Sequence, residues 1–279
     1  MSIRVIDFRS PTAAAEFAAG LKEIGFAVIS NHPVSQALIN QAYEQWYAFF
    51  KSDEKKQFTF NPETQDGYIS KELSETAKGY DQKDLKEFYH YYKGQRCPAS
   101  CFDVTSKLSD ALTSLAGILL SWVNDHAPSD VQSKFSMPLP DMIKNSDRIL
   151  FRLIHYPPLT GNEPVGAIRA AAHEDINLLT MLPAATAEGL QVQDASGNWL
   201  DVPINPGWII INAGDMLQEC SGHYYKSTSH RVLNPTGEAA KKSRLSLPLF
   251  LHPRSDVVLS EKYTAASYLN ERLKELGLL

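Results

Sequence analysis

Between Arg148 and Leu251 the chain is written as short apolar runs separated by turn-forming residues, and that pattern leaves few folds open. The runs are Ile149–Tyr156, Gly166–His173, Asn177–Leu182, Gly189–Gln193, Trp199–Val202, Gly207–Asn212, Ser227–Leu233 and Leu245–Leu251. Segments such as Ser196-Gly197-Asn198 and Asn205-Pro206-Gly207 supply the residue types that set tight turns. Strands of this length with this punctuation predict a jelly roll, which buries an apolar interior and leaves one mouth open to a ligand.

Helical spacing brackets the β region. Ala13, Phe17, Leu21 and Ile24 recur three or four apart, and Phe26–Ile29 then reads as a short strand. Ser35 can cap a second helix running to about Ser52. A third is predicted from about Asp103 to Asp125, with Leu108, Leu112, Leu115, Leu119 and Trp122 along one side, a stripe that reads as core packing. From Leu259 the chain returns to helix. Residues 61–100 are polar and aromatic and show little periodicity. The predicted class is α+β: a double-stranded β-helix (jelly-roll) core flanked by N-terminal and C-terminal helices. Residues 1–100 would be a helical leading region and 101–279 a helix plus the core, packed as one compact unit.

Composition narrows the function. Net charge is −5 with no basic block, which argues against a nucleic-acid partner. No run approaches the length of a transmembrane helix, and no basic segment followed by an apolar run marks a secretory signal. Cys97, Cys101 and Cys220 are too sparse for a disulfide framework, which fits a cytoplasmic protein. Cys97 and Cys101 lack the second thiol pair of a structural zinc site. A monomer that acts on a small molecule, away from membranes, is the expectation.

The chemistry concentrates in His173-Glu174-Asp175, His230 and Arg244-Leu245-Ser246. With 8 His and 32 Asp+Glu in 279 residues, chance supplies roughly one His-x-acid triplet, so the triplet alone means little. In extended backbone, side chains two apart face one way, so His173 and Asp175 can meet one ion while Glu174 turns outward. Two imidazoles and a carboxylate suit Fe(II) with other coordination positions open. Zinc accepts the same ligands, so a zinc hydrolase stands as an alternative; it leaves Arg244 and Ser246 without a task. Arg244 and Ser246 share a strand face, and their guanidinium fork and hydroxyl fit the far carboxylate of a 2-oxo acid. His223 reads as structural or pocket-lining, and His155 should face opposite to Tyr156.

Further stretches extend the pattern: Gly25-Phe-Ala-Val-Ile-Ser-Asn-His32, His155-Tyr156-Pro157-Pro158, Gly189-Leu-Gln-Val192 and Gly207-Trp-Ile-Ile-Ile-Asn212-Ala-Gly-Asp215. On these and the motifs above, the chain resembles the isopenicillin N synthase-like family of iron(II)/2-oxoglutarate dioxygenases over nearly its whole length. The resemblance implies His173, Asp175 and His230 as metal ligands. It also implies Arg244, Ser246 and Tyr156 at the tail of 2-oxoglutarate, within the motif region 148–255. It implies Fe(II), 2-oxoglutarate and O₂ as reactants, succinate and CO₂ as products, and hydroxylation, desaturation or cyclisation of a small organic molecule. Isopenicillin N synthase itself keeps Arg-x-Ser yet works without 2-oxoglutarate, so an oxidase stays open, as does a non-catalytic ligand-binding jelly roll. The gap between His230 and Arg244 exceeds that of many plant relatives. Its polar insert Thr236–Lys242 reads as a long hairpin loop that leaves the flanking strands paired. Substrate identity is not legible. Arg169 is either a partner for an anionic substrate or a surface charge. The aromatic cluster from Tyr80 to Tyr92 either closes over the mouth or packs the N-terminal helices.

Overall fold

The computed structural model describes residues 3–74, 76 and 82–275. The leading third contributes strands Val5–Asp7 (β1), Phe26–Ser30 (β2), Gly67–Ile69 (β3) and Glu87–Tyr91 (β4), with helices Ala13–Glu23 (α1) and Gln36–Lys51 (α2). Helix Ala99–His126 (α3) follows, then two single turns, Ser129–Gln132 (α4) and Leu139–Met142 (α5). The core strands are Leu150–Tyr156 (β5), Ala170–His173 (β6), Leu179–Pro183 (β7), Leu190–Gln193 (β8), Trp199–Asp201 (β9), Ile209–Ala213 (β10), His230–Val232 (β11), Arg244–Ser246 (β12) and Leu249–Phe250 (β13). Short helix Asp215–Cys220 (α6) follows β10, and Ala265–Glu275 (α7) closes the described chain. None of the described helices is long and apolar enough to cross a membrane.

Among the described residues, nine strands form one sheet in the order β1-β2-β10-β7-β13-β5-β4-β3, with β12 also paired to β5, and four form a second, β6-β11-β8-β9. The large sheet is apolar on both faces, and the period-2 alternation sorts its residues into two cores. Ala27, Ile29, Ile209, Ile211, Phe151 and Leu153 face the helices and pack with Trp46 of α2 and Leu108, Leu112, Leu115 and Leu119 of α3. Phe26, Val28, Ile210, Ile154 and Tyr156 face the small sheet and meet Ala170, Leu190, Val192 and Val232. The α3 stripe is therefore core, and Trp46 Nε1 donates to Thr105 Oγ1 at 2.9 Å, tying α2 to α3 inside it. Ser35 caps α2 as its sequence suggests, its hydroxyl accepting from Leu38 N.

Two expectations need correction, and two open readings are narrowed. Thr236–Lys242 is not a hairpin loop: β11 is flanked on both edges by β6 and β8, so it has no edge for β12, which pairs with β5 in the other sheet. The insert crosses between sheets through a 3₁₀ turn, Gly237–Lys241. The run Leu245–Leu251 is two strands rather than one. β12 pairs with β5 alone, whereas β13 lies between β5 and β7, and Pro248, which has no N–H to give a ladder, sits at the break. Residues 61–100, which show little periodicity, contribute β3 and β4 to the large sheet, β4 pairing with β5 over its full length. Tyr89 and Tyr91 pack among the N-terminal helices and Phe88 faces the inter-sheet core; Tyr80 lies outside the described residues. Of the two readings of Arg169, the surface charge is excluded, since the residue is 1% exposed.

Candidate functional site

The small sheet presents one half of the site. His173 ends β6 and His230 begins β11, and the two are directly opposed in the antiparallel ladder, with ring centroids 4.4 Å apart. Asp175 lies just past the end of β6, not within extended strand, yet its Oδ1 sits 3.8 Å from His173 Nε2 and 3.7 Å from His230 Nε2. All three donor atoms fall within 4.8 Å of one another, the one such cluster among the described residues. Glu174 is exposed and is not part of it.

Each member of the cluster is held from behind. His173 Nδ1 pairs with Ala171 O at 2.8 Å and His230 Nδ1 with Thr228 O at 3.1 Å, which puts the proton on Nδ1 and turns each Nε2 lone pair toward Asp175. Asp175 Oδ2 accepts from Thr180 Oγ1 at 2.6 Å and Asn212 Nδ2 at 2.8 Å, so Oδ1 alone faces the imidazoles. Burial opposes the charge of Asp175, but His230, His173 and those two donors outweigh it and hold its pKa below the ordinary carboxylate value. Desolvation in the pocket, then the neighbouring His230, lowers His173, keeping it neutral and able to bind a cation. Two imidazole nitrogens and one carboxylate oxygen within 4.8 Å of one another fit Fe(II).

The loop that carries Asp175 is pinned by the corner between β10 and α6. Asp215 N donates to Asp175 O at 2.7 Å and Met216 N to Asn177 O at 3.1 Å. Gly214 makes this approach possible: a Cβ there would lie 2.3 Å from Asn177 O and 2.7 Å from Asp175 O.

The large sheet presents the other half. Arg244 and Ser246 alternate on β12, with Arg244 opposite Tyr156 and Ser246 opposite Ile154 on β5. Arg244 is 1% exposed, and its guanidinium carbon lies 5.1 Å from the Tyr156 ring centroid. Its Nε donates to Ala187 O at 2.9 Å, while Nη1 is buried without a hydrogen-bond partner. Burial lowers the Arg244 pKa, an effect that Tyr156 and Tyr43 only partly offset. On the opposite face of β5, His155 bonds Glu87 Oε1 at 2.7 Å and Ser243 Oγ at 2.9 Å, bracing the start of β12. His223 is exposed in a turn after α6, outside the site.

Sequence reasoning passed over several groups that support this arrangement. Asn212, Thr180 and Gly214 stood inside quoted stretches without a role, because nothing in their residue type announces that Asp175 is above them. Lys86 and Asp84 form a buried ion pair at 2.8 Å, and Asp84 Oδ1 accepts from Ala171 N, fastening the leading region to β6. Their signal would have been two charges close together in a stretch with little periodicity.

Comparison with known proteins places this geometry. Residues 149–253 match the 2OG-Fe(II) oxygenase superfamily, and residues 3–101 match the N-terminal region described as non-haem dioxygenase in morphine synthesis. A coumaroyl-CoA and feruloyl-CoA ortho-hydroxylase of Ipomoea batatas is 30% identical over 281 residues, covering 92% of this chain and 72% of that protein. Among solved structures, a Shewanella oneidensis protein assigned as an oxygenase superposes with TM-score 0.91 at 51% identity, covering 100% of both chains. A Caulobacter crescentus protein assigned to the 2OG-Fe(II) oxygenases does so with TM-score 0.79 at 30% identity over 99% of each. With its two halves matched in order and a jelly-roll core holding a His-Asp-His cluster, the chain belongs to the 2OG-Fe(II) oxygenase superfamily.

Proposed function

We propose that His173, Asp175 and His230 hold the iron and that Arg244, Ser246 and Tyr156 hold the C5 carboxylate of 2-oxoglutarate. The observation that carries this reading is the pairing of two unfinished ends across one barrel. Three ligand atoms converge on the small sheet. A buried guanidinium with a bare Nη1 stands on the large one. The enzyme is a non-haem Fe(II)- and 2-oxoglutarate-dependent oxygenase that oxidises a small organic molecule. Bound iron supplies O₂ activation coupled to decarboxylation of 2-oxoglutarate to succinate, with hydroxylation, desaturation or cyclisation of the substrate as outcomes. The protein orients the reactants and keeps water from the inter-sheet core. Asp175 is held as an anion by the two imidazoles, Asn212 and Thr180, and the Nδ1 bonds to Ala171 O and Thr228 O turn each Nε2 toward it.

The remaining proposals concern the chain as a whole. It works as one compact unit, since β2 pairs with β10 and β4 with β5, so residues 1–100 complete the sheet that carries Arg244. It acts as a monomer in the cytoplasm. The large exposed apolar side chains, among them Leu73, Phe102 and Val165, are scattered over separate elements, and net charge −5 disfavours nucleic acid.

The test is oxygen uptake and succinate release, each measured with Fe(II) and 2-oxoglutarate omitted in turn. Dependence on both supports the reading. Uptake that persists without 2-oxoglutarate assigns Arg244 and Ser246 to the substrate instead. If neither oxygen uptake nor succinate release occurs under any condition, while zinc supports hydrolysis of a substrate, the enzyme is a hydrolase.

A further inference from the structure

Arg169 is the most deeply buried cationic side chain, among the described residues, that the proposed assignments leave unused. It is 1% exposed and immediately precedes β6. Its Nη2 donates to Lys242 O at 3.1 Å, and its Nε is buried without a partner. Its guanidinium carbon lies 5.9 Å from the Tyr156 ring centroid, so it and Arg244 stand against the same ring. Among the described residues no carboxylate forms an ion pair with either arginine. Asp84, which accepts from the Ala171 amide, is committed to Lys86, and Glu87 is held with Lys55, Tyr68 and His155 on the other face of β5. Burial, then the charge of Arg244, pushes the Arg169 pKa down to about 10, which still leaves a cation at neutral pH. Two neighbouring guanidinium groups without an anion are an unfavourable arrangement for a folded core.

A buried carboxylate resolves it. A carboxylate offers about four lone-pair sites and can accept from two guanidinium groups at once. Position selects which carboxylate. Arg169 stands four residues before His173, roughly 13 Å away along extended chain. It bonds the carbonyl two residues before Arg244. It therefore belongs to the Arg244 end of the site, whereas the carbon to be oxidised must lie at the metal end.

We propose that Arg169 is a second guanidinium anchor for the C5 carboxylate of 2-oxoglutarate, making the site selective for dicarboxylic over monocarboxylic 2-oxo acids. The inference rests on the assignment of Arg244 to that carboxylate. Losing a charge-assisted hydrogen bond should weaken binding about ten- to a hundredfold. The experiment titrates the Fe(II)-loaded protein anaerobically, following the visible iron/2-oxo acid band, with 2-oxoglutarate and with 2-oxopentanoate, which has the same length and no terminal carboxylate. In Arg169→Gln the Kd for 2-oxoglutarate should rise about ten- to a hundredfold while that for 2-oxopentanoate stays within about twofold of wild type. The melting midpoint of the metal-free protein should not fall, since an unpaired buried charge has been removed. An unchanged 2-oxoglutarate Kd, an equal loss for both acids, or a lowered midpoint overturns the proposal. Arg244→Gln run alongside separates the two layers. If it too leaves 2-oxoglutarate binding intact, the co-substrate assignment itself fails; if it alone weakens binding, only the role of Arg169 does.

Discussion

The two ends of the site are finished differently. At the metal end, the outward-facing atoms of the three ligands already have protein partners: Ala171 O and Thr228 O on the histidines, Asn212 and Thr180 on Asp175. Only the atoms that face one another are left over. At the arginine end the protein stops short, with two buried guanidinium groups, bare nitrogens on both, and no acid between them. The metal end is organised in advance, so its ligands need little rearrangement to bind. On the proposed assignment an anion completes the arginine end, so its binding would also stabilise the fold.

The largest expected effects are at the pre-organised end. Alanine at Asp175, His173 or His230 should reduce turnover to background and Fe(II) affinity by well over a hundredfold, measured by metal titration, while Glu174→Gln keeps most of it. If Glu174→Gln lost iron and Asp175→Asn kept it, the ligand set would be wrong. Next comes Asn212→Ala, which removes one of two clamps on Asp175 and should weaken Fe(II) about ten- to a hundredfold. An effect below about twofold would mean that Thr180 alone suffices, and the metal end would be less tightly supported than its hydrogen bonds imply.

At the arginine end, Arg244→Lys keeps the charge but not the two-pronged geometry, and should raise the Kd for 2-oxoglutarate about tenfold or more with Fe(II) affinity unmoved. Ser246→Ala should cost less, because water can replace one donor. Iron affinity that fell in step with 2-oxoglutarate affinity would erase the distinction between the ends.

The smallest effect lies behind β12. Burial raises the Glu87 pKa, but bonds from His155, Tyr68 and Lys55 outweigh it and bring it down to about 2 from an ordinary 4.5. A depressed carboxylate stabilises the fold above its unfolded pKa and loses that contribution as pH falls. The stability gap between wild type and Glu87→Gln, read by denaturant melts, should therefore be full above about pH 5 and shrink between pH 4.5 and 2. A gap independent of pH over that window would show that Glu87 acts through packing alone.

Much of this was legible before any coordinates. The strands of the core, the capped α2 and the α3 stripe follow from periodicity, because each element buries a face whose spacing is fixed by backbone geometry. The cluster of His173, Asp175 and His230 was legible because these side chains are chemically distinctive. Pairing partners were not. Nothing in residues 61–100 says that Glu87–Tyr91 lies against β5, since that depends on a strand some sixty residues away. Arg169 was ambiguous for the same reason: an arginine reads identically in sequence whether its environment is solvent or the core. Asn212 and Gly214 show the limit most clearly, as their importance consists entirely in what they touch.

The crossing from β11 to β12 separates the two ends in the chain as well as in space. His230 and Arg244 lie in different sheets, and each is registered by its own neighbours, β6 and β8 on one side and β5 on the other. The turn at Gly237–Lys241 transmits no register between them. The number of residues between the third metal ligand and the arginine is thus an elastic quantity, free to drift by insertion so long as the carbonyl of Lys242 stays under Arg169. A search for kindred chains is better served by two short words with a variable space than by one long phrase.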